Sequence, residues 1–219
     1  MIATALLVAG KDLRIEARSR VLLWQVLPFG VVALVLAGIA LGPVRAGHSD
    51  AGPGLFYLVA LFVTLLAVNR STQIEGASGT RSSVATLGLD PAGVFLGKAL
   101  ALALELWAIG AVLLGGSVLV LHAALAGTLE ALPSVAVTLG ALAAAGSLYG
   151  ALCGGAGAAT LLPAISFPGF VPLLIAGERA YHSALVGGAL WQWWVISLVA
   201  LAAYVALGVL LYGVLEESW

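Results

Sequence analysis

The chain has 219 residues, of which 62% are hydrophobic and only 9% are charged, and its net charge is −1. A soluble domain carries about a quarter charged residues, and no soluble fold of this length buries so much apolar side chain. Lipid must therefore solvate much of the chain, and the charge balance provides no basic surface for nucleic acid. The single cysteine, Cys153, excludes an intrachain disulfide and a CxxC redox pair.

Residues 1–20 have the pattern of an amphipathic helix. Apolar residues and cations fall on opposite sides, namely Ile2, Leu6, Ala9, Leu13 and Ala17 against Lys11, Arg14 and Arg18. This order, apolar first and basic afterwards, is the reverse of a signal peptide. The pattern predicts an interfacial helix that lies in the membrane plane with its cations toward anionic headgroups. The alternative is a straight extension of the first membrane span.

Six apolar segments follow, each read as a membrane-spanning helix. The predicted spans are 21–41, 53–68, 92–121, 132–153, 156–176 and 191–215. We therefore predict an all-α membrane protein in which residues 1–219 form a single transmembrane domain. The weakest boundary is the glycine cluster Gly154–Gly157, which is either a tight turn or a kink in one long helix.

The distribution of lysine and arginine predicts the orientation. Seven cations fall before the first span or around the second loop, namely Lys11, Arg14, Arg18, Arg20, Arg70, Arg81 and Lys98. The opposite side has Arg45 and Arg179. Because cytoplasmic loops carry the excess of positive charge, both termini are predicted to be cytoplasmic.

The longest polar stretch on the predicted cytoplasmic side is the loop of residues 69–91. Within it, Thr80–Leu87 is predicted to form a short helix that presents Val84 and Leu87. Asp90 and Pro91 have the pattern of an N-cap and first position of the third span. A short helix braced by two membrane helices can transmit a push; the alternative is a solvated loop without a partner.

The fifth predicted span contains Pro163, Pro168 and Pro172. Each proline removes a backbone donor and clashes with the preceding turn. Broken helices at membrane depth occur where protein or water satisfies the freed carbonyls, so this span is predicted to face other helices. Residues 177–190 are predicted to be external.

Glu105 falls inside the third predicted span, where a carboxylate is costly and is a functional candidate by default. Lys98 lies two turns earlier, about 10 Å along the axis, which is too far for a direct pair. Lys98 is predicted to extend toward the headgroups. Glu105 is either a structural hydrogen-bond partner or part of the moving pathway.

Other chemistry has little support in the sequence. His48, His122 and His182 all fall on the predicted outer side and are candidate ligands of a metal or a haem iron, although their spacing fixes no geometry. Ser166 lies outside any G-x-S-x-G elbow. The nearest string to a P-loop, Gly93–Ala99, is one residue short and lacks the hydroxyl after the lysine. Any ATP use therefore requires a partner subunit.

Two segments resemble a known family. The first runs from Arg70 through Glu75-Gly76, Gly79-Thr80, Leu87-Gly88-Leu89 and Phe95-Leu96-Gly97-Lys98; the second is the proline-punctuated stretch from Leu161 to Ile175. With six spans and a basic N-terminal helix, the chain resembles the type-2 ABC exporter permeases. More specifically it resembles the CcmB family, the haem exporter protein B of cytochrome c maturation. The leucine run of the family is reduced here to Val84–Leu87.

The resemblance implies a permease subunit in the cytoplasmic (inner) membrane, without an ATPase of its own. Two copies would pair with two copies of the ATPase CcmA and associate with CcmC and CcmD. ATP hydrolysis would then release the haem-loaded chaperone CcmE outside. No cofactor is assigned to the chain itself, and haem is a possible cargo. The residues assigned to ATPase coupling are Arg70, Glu75, Gly79, Thr80, Arg81, Val84 and Leu87. The alternatives are a type-2 permease for a lipid or drug, and an intramembrane enzyme using Ser166 and a histidine.

Overall fold

The computed structural model describes residues 1–42, 51–78, 89–153 and 158–217, with the backbone alone described at 74–78, 158–160 and 215–217. Within these ranges all regular structure is helical. The helices are α1 (Ile2–Ser19), α2 (Leu27–Leu41), α3 (Ala51–Ser78), α4 (Pro91–Val120), α5 (Leu125–Leu152), α6 (Ala158–Val186) and α7 (Trp191–Glu217). A π-helical turn, Leu22–Val26, leads directly into α2.

Six of these helices, α2 to α7, are long and apolar enough to cross a membrane. Several bounds differ from the sequence prediction. The second span was predicted to end at 68, but α3 continues to Ser78. The fourth was predicted to begin at 132, but α5 begins at Leu125 and carries Pro133 within its first turns. Residues 177–186, predicted to lie in an external segment, belong to α6.

The core of the bundle is α5, which contacts α3, α4, α6 and α7. The run Ala141–Ala145 is buried on all sides, with exposures of 0–2%. Without a hydrophobic driving force in lipid, helices associate by close van der Waals contact, which small side chains permit. α2 and α7 lie at the periphery and expose most of their apolar side chains.

α5 and α6 are two separate antiparallel helices. Gly127, near the start of α5, contacts Ala184 near the end of α6, while Tyr149 packs edge-to-face on Phe170, with ring centroids 5.8 Å apart. Of the two interpretations of the segment between them, this arrangement excludes one long kinked helix. Gly154–Gly157 themselves lie outside the described residues.

α6 is continuous despite Pro163, Pro168 and Pro172. The helix has two different faces. Leu162, Ser166, Phe170 and Leu173 are buried against neighbouring helices, whereas Pro168 and Pro172 lie on the exposed side. The prediction that this span faces other helices therefore describes one face of α6, because the two later prolines occupy the other face.

Candidate functional site at the junction of α1, α3 and α4

We define the α3–α4 end of the bundle as the end at which α3 finishes at Ser78 and α4 begins at Pro91. Two glycines one turn apart on α4 let α1 approach closely there. A Cβ added at Gly97 would lie 2.6 Å from the Ala5 carbonyl oxygen and 2.7 Å from Val8 Cβ; one added at Gly93 would lie 2.8 Å from Thr4 Cβ. α1 therefore packs closely against the first turns of α4.

The side of α1 that packs on α4 is not the same as the predicted apolar stripe, which was predicted to face the membrane. Ala5, Val8 and Ala9 are buried, whereas Ile2 and Leu6 are 78% and 61% exposed. Gly93 and Gly97 leave a gap in the surface of α4, which we call the glycine notch. The smaller residues Ala5, Val8 and Ala9 pack there, so the larger side chains of α1 face outward. The placement of α1 in the membrane plane stays a prediction.

α1 ends in a turn that directs the chain into α2. Arg20 adopts a left-handed conformation, with φ 53°, and its N–H donates to the Glu16 carbonyl. The Glu16 side chain also takes part, because the Leu22 N–H donates to Glu16 Oε1 at 2.6 Å. The carboxylate thereby satisfies a free donor at the start of the next helix, as a capping residue does.

A cleft opens where α1, α3 and α4 meet. It encloses about 50 Å³ and is lined by charges of both signs, namely Lys11, Asp12, Glu16, Arg70, Lys98 and Glu105. Ile15, Leu22 and Leu102 supply apolar wall, and exposed Ser71 stands at its edge. Thus α3 and α4, the helices on either side of the predicted coupling loop, both contribute to one charged site together with α1.

Some of these charges are already engaged. Lys11 Nζ lies 3.0 Å from Asp12 Oδ1. Lys98 Nζ lies 5.6 Å from the centroid of the Tyr212 ring, a cation–π contact with α7. Arg70 differs, because its Nε is buried and has no hydrogen-bond partner among the residues that the structure describes. Glu105 lines the cleft together with Asp12 and Glu16, which carry the same sign of charge.

Helix lengths place this cleft near a membrane boundary. Leu22–Leu41 has 20 residues, about 30 Å of helix, which is the thickness of the hydrocarbon core. Leu22, at the start of that span, lines the cleft beside Glu105 and Arg70. α4 has 30 residues, about 45 Å, so it is about 15 Å longer than the hydrocarbon requires. Glu105 is the fifteenth residue of α4, about 21 Å from its start, and it lines the cleft together with Leu22, where the first span begins.

The coupling residues predicted from sequence divide into two groups. Arg70 lines the cleft, and Glu75 lies on the last turns of α3. Gly79, Thr80, Arg81, Val84 and Leu87 lie outside the described residues, as does the predicted helix Thr80–Leu87. Asp90 and Pro91 are confirmed as N-cap and first position of α4, and Asp90 Oδ2 lies 3.1 Å from the Met1 amino nitrogen.

The other candidates are not brought to this site. The Ser166 hydroxyl is fully buried and donates to the Leu162 carbonyl at 2.7 Å. His182 lies on the same helix sixteen residues later, about 24 Å away, so the two form no catalytic pair. His122 follows α4 with φ 55°, and His48 lies outside the described residues. Over the described ranges, no three His, Cys, Asp or Glu side chains are grouped to hold a metal.

A separate polar network closes the opposite end of the bundle. The Tyr181 hydroxyl on α6 lies 2.8 Å from Ser117 Oγ on α4 and 3.2 Å from Thr128 Oγ1 on α5. Tyr181 also packs edge-to-face on Phe56 of α3, with centroids 5.6 Å apart. Sequence reasoning missed both this network and the contribution of Asp12 and Glu16 to the cleft, because their partners lie far away along the chain.

The fold and the site define a class: a multi-pass helical membrane protein whose charged site joins an N-terminal helix to the helices flanking one polar loop. A search of curated proteins finds no match. The sequence profile of the family described as CcmB protein matches residues 1–212, and the chain belongs to that family. It is a membrane component of the haem-export system of cytochrome c maturation, and its family is one of permeases, not enzymes.

Proposed function

We propose that this chain is the permease subunit of an ABC transporter for haem export and cytochrome c maturation, and that a partner ATPase drives it. The observation that carries the proposal is the family match over residues 1–212. The chain has six helices able to cross a membrane, and its sequence lacks a P-loop. Energy must then enter through a contact with another subunit.

The contact surface is the segment 69–91. Its support is mechanical: the last turns of α3 lead into it, and α4 leaves it at Pro91 with α1 seated on Gly93 and Gly97. A segment held at both ends by helices transfers force to both. Arg70 and Glu75 belong to the α3 side, and Gly79, Thr80, Arg81, Val84 and Leu87 complete the surface, with Val84 and Leu87 as its apolar centre.

The partners follow from the family. The ATPase is CcmA, two copies of which pair with two copies of this chain, and CcmC and CcmD complete the complex. Work done at the α3–α4 end releases haem-loaded CcmE at the opposite side. The chain resides in the cytoplasmic membrane with both termini inside, as its seven-to-two distribution of cations supports. Haem is either transported by this chain or bound only by the chaperone CcmE, and none of the histidines is assigned as a haem ligand.

The test is the double substitution Val84→Asp with Leu87→Asp. Two carboxylates desolvated in the centre of an interface destabilise it by several kcal/mol. We expect the chain to insert normally and the ATPase to be lost on copurification from native membranes.

A matched control carries the same charge on the other side of the predicted helix, at Ser82→Asp with Thr86→Asp. This variant should retain the ATPase. Wild-type copurification and ATP-dependent activity in the Val84/Leu87 variant would disprove coupling through this segment.

A further inference from the structure

We propose that the cleft between α1, α3 and α4 binds the headgroup of a phospholipid that carries a primary ammonium group. In this assignment Arg70 contacts the phosphate, and Glu105 with Glu16 contacts the ammonium. The site requires only that the chain be in a membrane, so it stands independently of the ATPase coupling proposed above.

Depth is the first argument. The cleft lies at the start of the first span, beside Leu22, where the hydrocarbon ends and headgroups begin. Its wall combines Ile15, Leu22 and Leu102 with charged side chains, and it opens at exposed Ser71. A glycerophospholipid has the matching arrangement, because its apolar acyl chains adjoin a polar headgroup.

A buried donor is the second argument. Among the described residues Arg70 Nε is buried without a hydrogen-bond partner, although a guanidinium offers donors in a fork that fits phosphate oxygens. A buried donor without an acceptor costs about 1–3 kcal/mol, which a phosphate oxygen would recover.

Glu105 lines the cleft together with Asp12 and Glu16. Asp12 is paired with Lys11, and Glu16 already accepts the Leu22 N–H. Because Lys11, Arg70 and Lys98 also line it, the cleft carries three cations and three carboxylates. A zwitterion whose phosphate reaches Arg70 and whose ammonium lies beside Glu105 and Glu16 keeps this balance, whereas a purely anionic headgroup adds an uncompensated negative charge.

The experiment measures lipids retained by the full chain, purified with any subunits it keeps, using native mass spectrometry. Three lipids with identical acyl chains are offered: phosphatidylethanolamine, phosphatidylcholine and phosphatidylglycerol. We expect about tenfold preference for phosphatidylethanolamine, since a quaternary ammonium donates no hydrogen bond and glycerol carries no charge. Equal retention of the three by the wild-type chain would overturn the proposal without any variant.

Two variants separate the two contacts. Arg70→Gln should reduce retention of all three lipids, and Glu105→Gln should abolish the preference for phosphatidylethanolamine over phosphatidylcholine while keeping the phosphate contact. Arg179→Gln, at the opposite end of the bundle, is the matched control and should behave as wild type. Soluble phosphoethanolamine forms another arm: if it binds as tightly as the lipid, the site recognises a free metabolite and the lipid assignment is wrong. A preference that persists in Glu105→Gln would equally contradict the ammonium contact.

Discussion

The surroundings of Glu105 in the structure differ from those that the sequence predicts. In sequence it stands inside an apolar span, where a carboxylate is expected to be structural or part of a transport pathway. In the structure it lines a cleft with Arg70 of α3 and Glu16 of α1, level with the first residues of the first span. Packing explains the difference, because α1 lies against α4 and brings Glu16 and Leu22 to the same cleft as Glu105.

Gly97 is the residue at which α1 comes closest to α4. A methyl group there meets the Ala5 carbonyl and Val8, so Gly97→Ala should displace α1 at a cost of about 1–3 kcal/mol. The measurement is maleimide labelling of Ala9→Cys, a buried position on α1, which should become faster when Gly97→Ala is added.

The matched control is Gly115→Ala on the same helix, where an added Cβ meets no atom within 4 Å. It should leave the labelling rate unchanged. Equal labelling in the two variants would show that the glycine notch does not seat α1.

One carboxylate, that of Glu16, stabilises the junction between the helices α1 and α2. Glu16 Oε1 accepts the Leu22 N–H at 2.6 Å, and left-handed Arg20 ends α1 immediately before it. The π-helical turn Leu22–Val26 then leads into Pro28 of α2. Because this geometry rests on a side-chain acceptor, the junction is more sensitive to residue 16 than to the exposed residues around it.

Glu16→Ala leaves the Leu22 N–H without its acceptor, at a cost of about 1–3 kcal/mol, and should loosen the angle between α1 and α2. Spin labels at Arg14→Cys and Leu36→Cys, both exposed, should give a broader distance distribution in Glu16→Ala, in a background with Cys153→Ala. Glu16→Gln keeps a side-chain oxygen and should stay close to wild type. If Glu16→Ala gives the narrow wild-type distribution, the carboxylate does not set this junction.

At the scale of the whole molecule, the direction of the bundle relative to the membrane is a separate prediction. In the sequence, seven of the nine cations fall within residues 11–20 or 70–98 and two, Arg45 and Arg179, fall elsewhere, so the first group is predicted to be cytoplasmic. Reporter fusions after residue 219 and at Ala51 should therefore report cytoplasm and exterior, respectively. An external C-terminus would mean that one of the six helices does not cross the membrane.

Composition and hydropathy were enough to predict six spans, because an apolar stretch long enough to cross lipid is visible without knowing its neighbours. The start of α4 could also be predicted from the local sequence, because Asp90 and Pro91 are recognisable as its N-cap and first turn. The family resemblance also came from contiguous motifs, and the profile match over residues 1–212 confirmed it.

Tertiary structure decided what those local patterns could not express. Which residues of α1 pack on protein depends on the glycine notch of another helix, so Ala5 and Val8 are buried there while Ile2 and Leu6 stay exposed. The charged cleft assembles residues 11–16, 70–71 and 98–105, which no sequence spacing connects. Periodicity shows which side of a helix is apolar. Only packing determines which side contacts protein and which charged side chains lie together, because those contacts join residues that are distant along the chain.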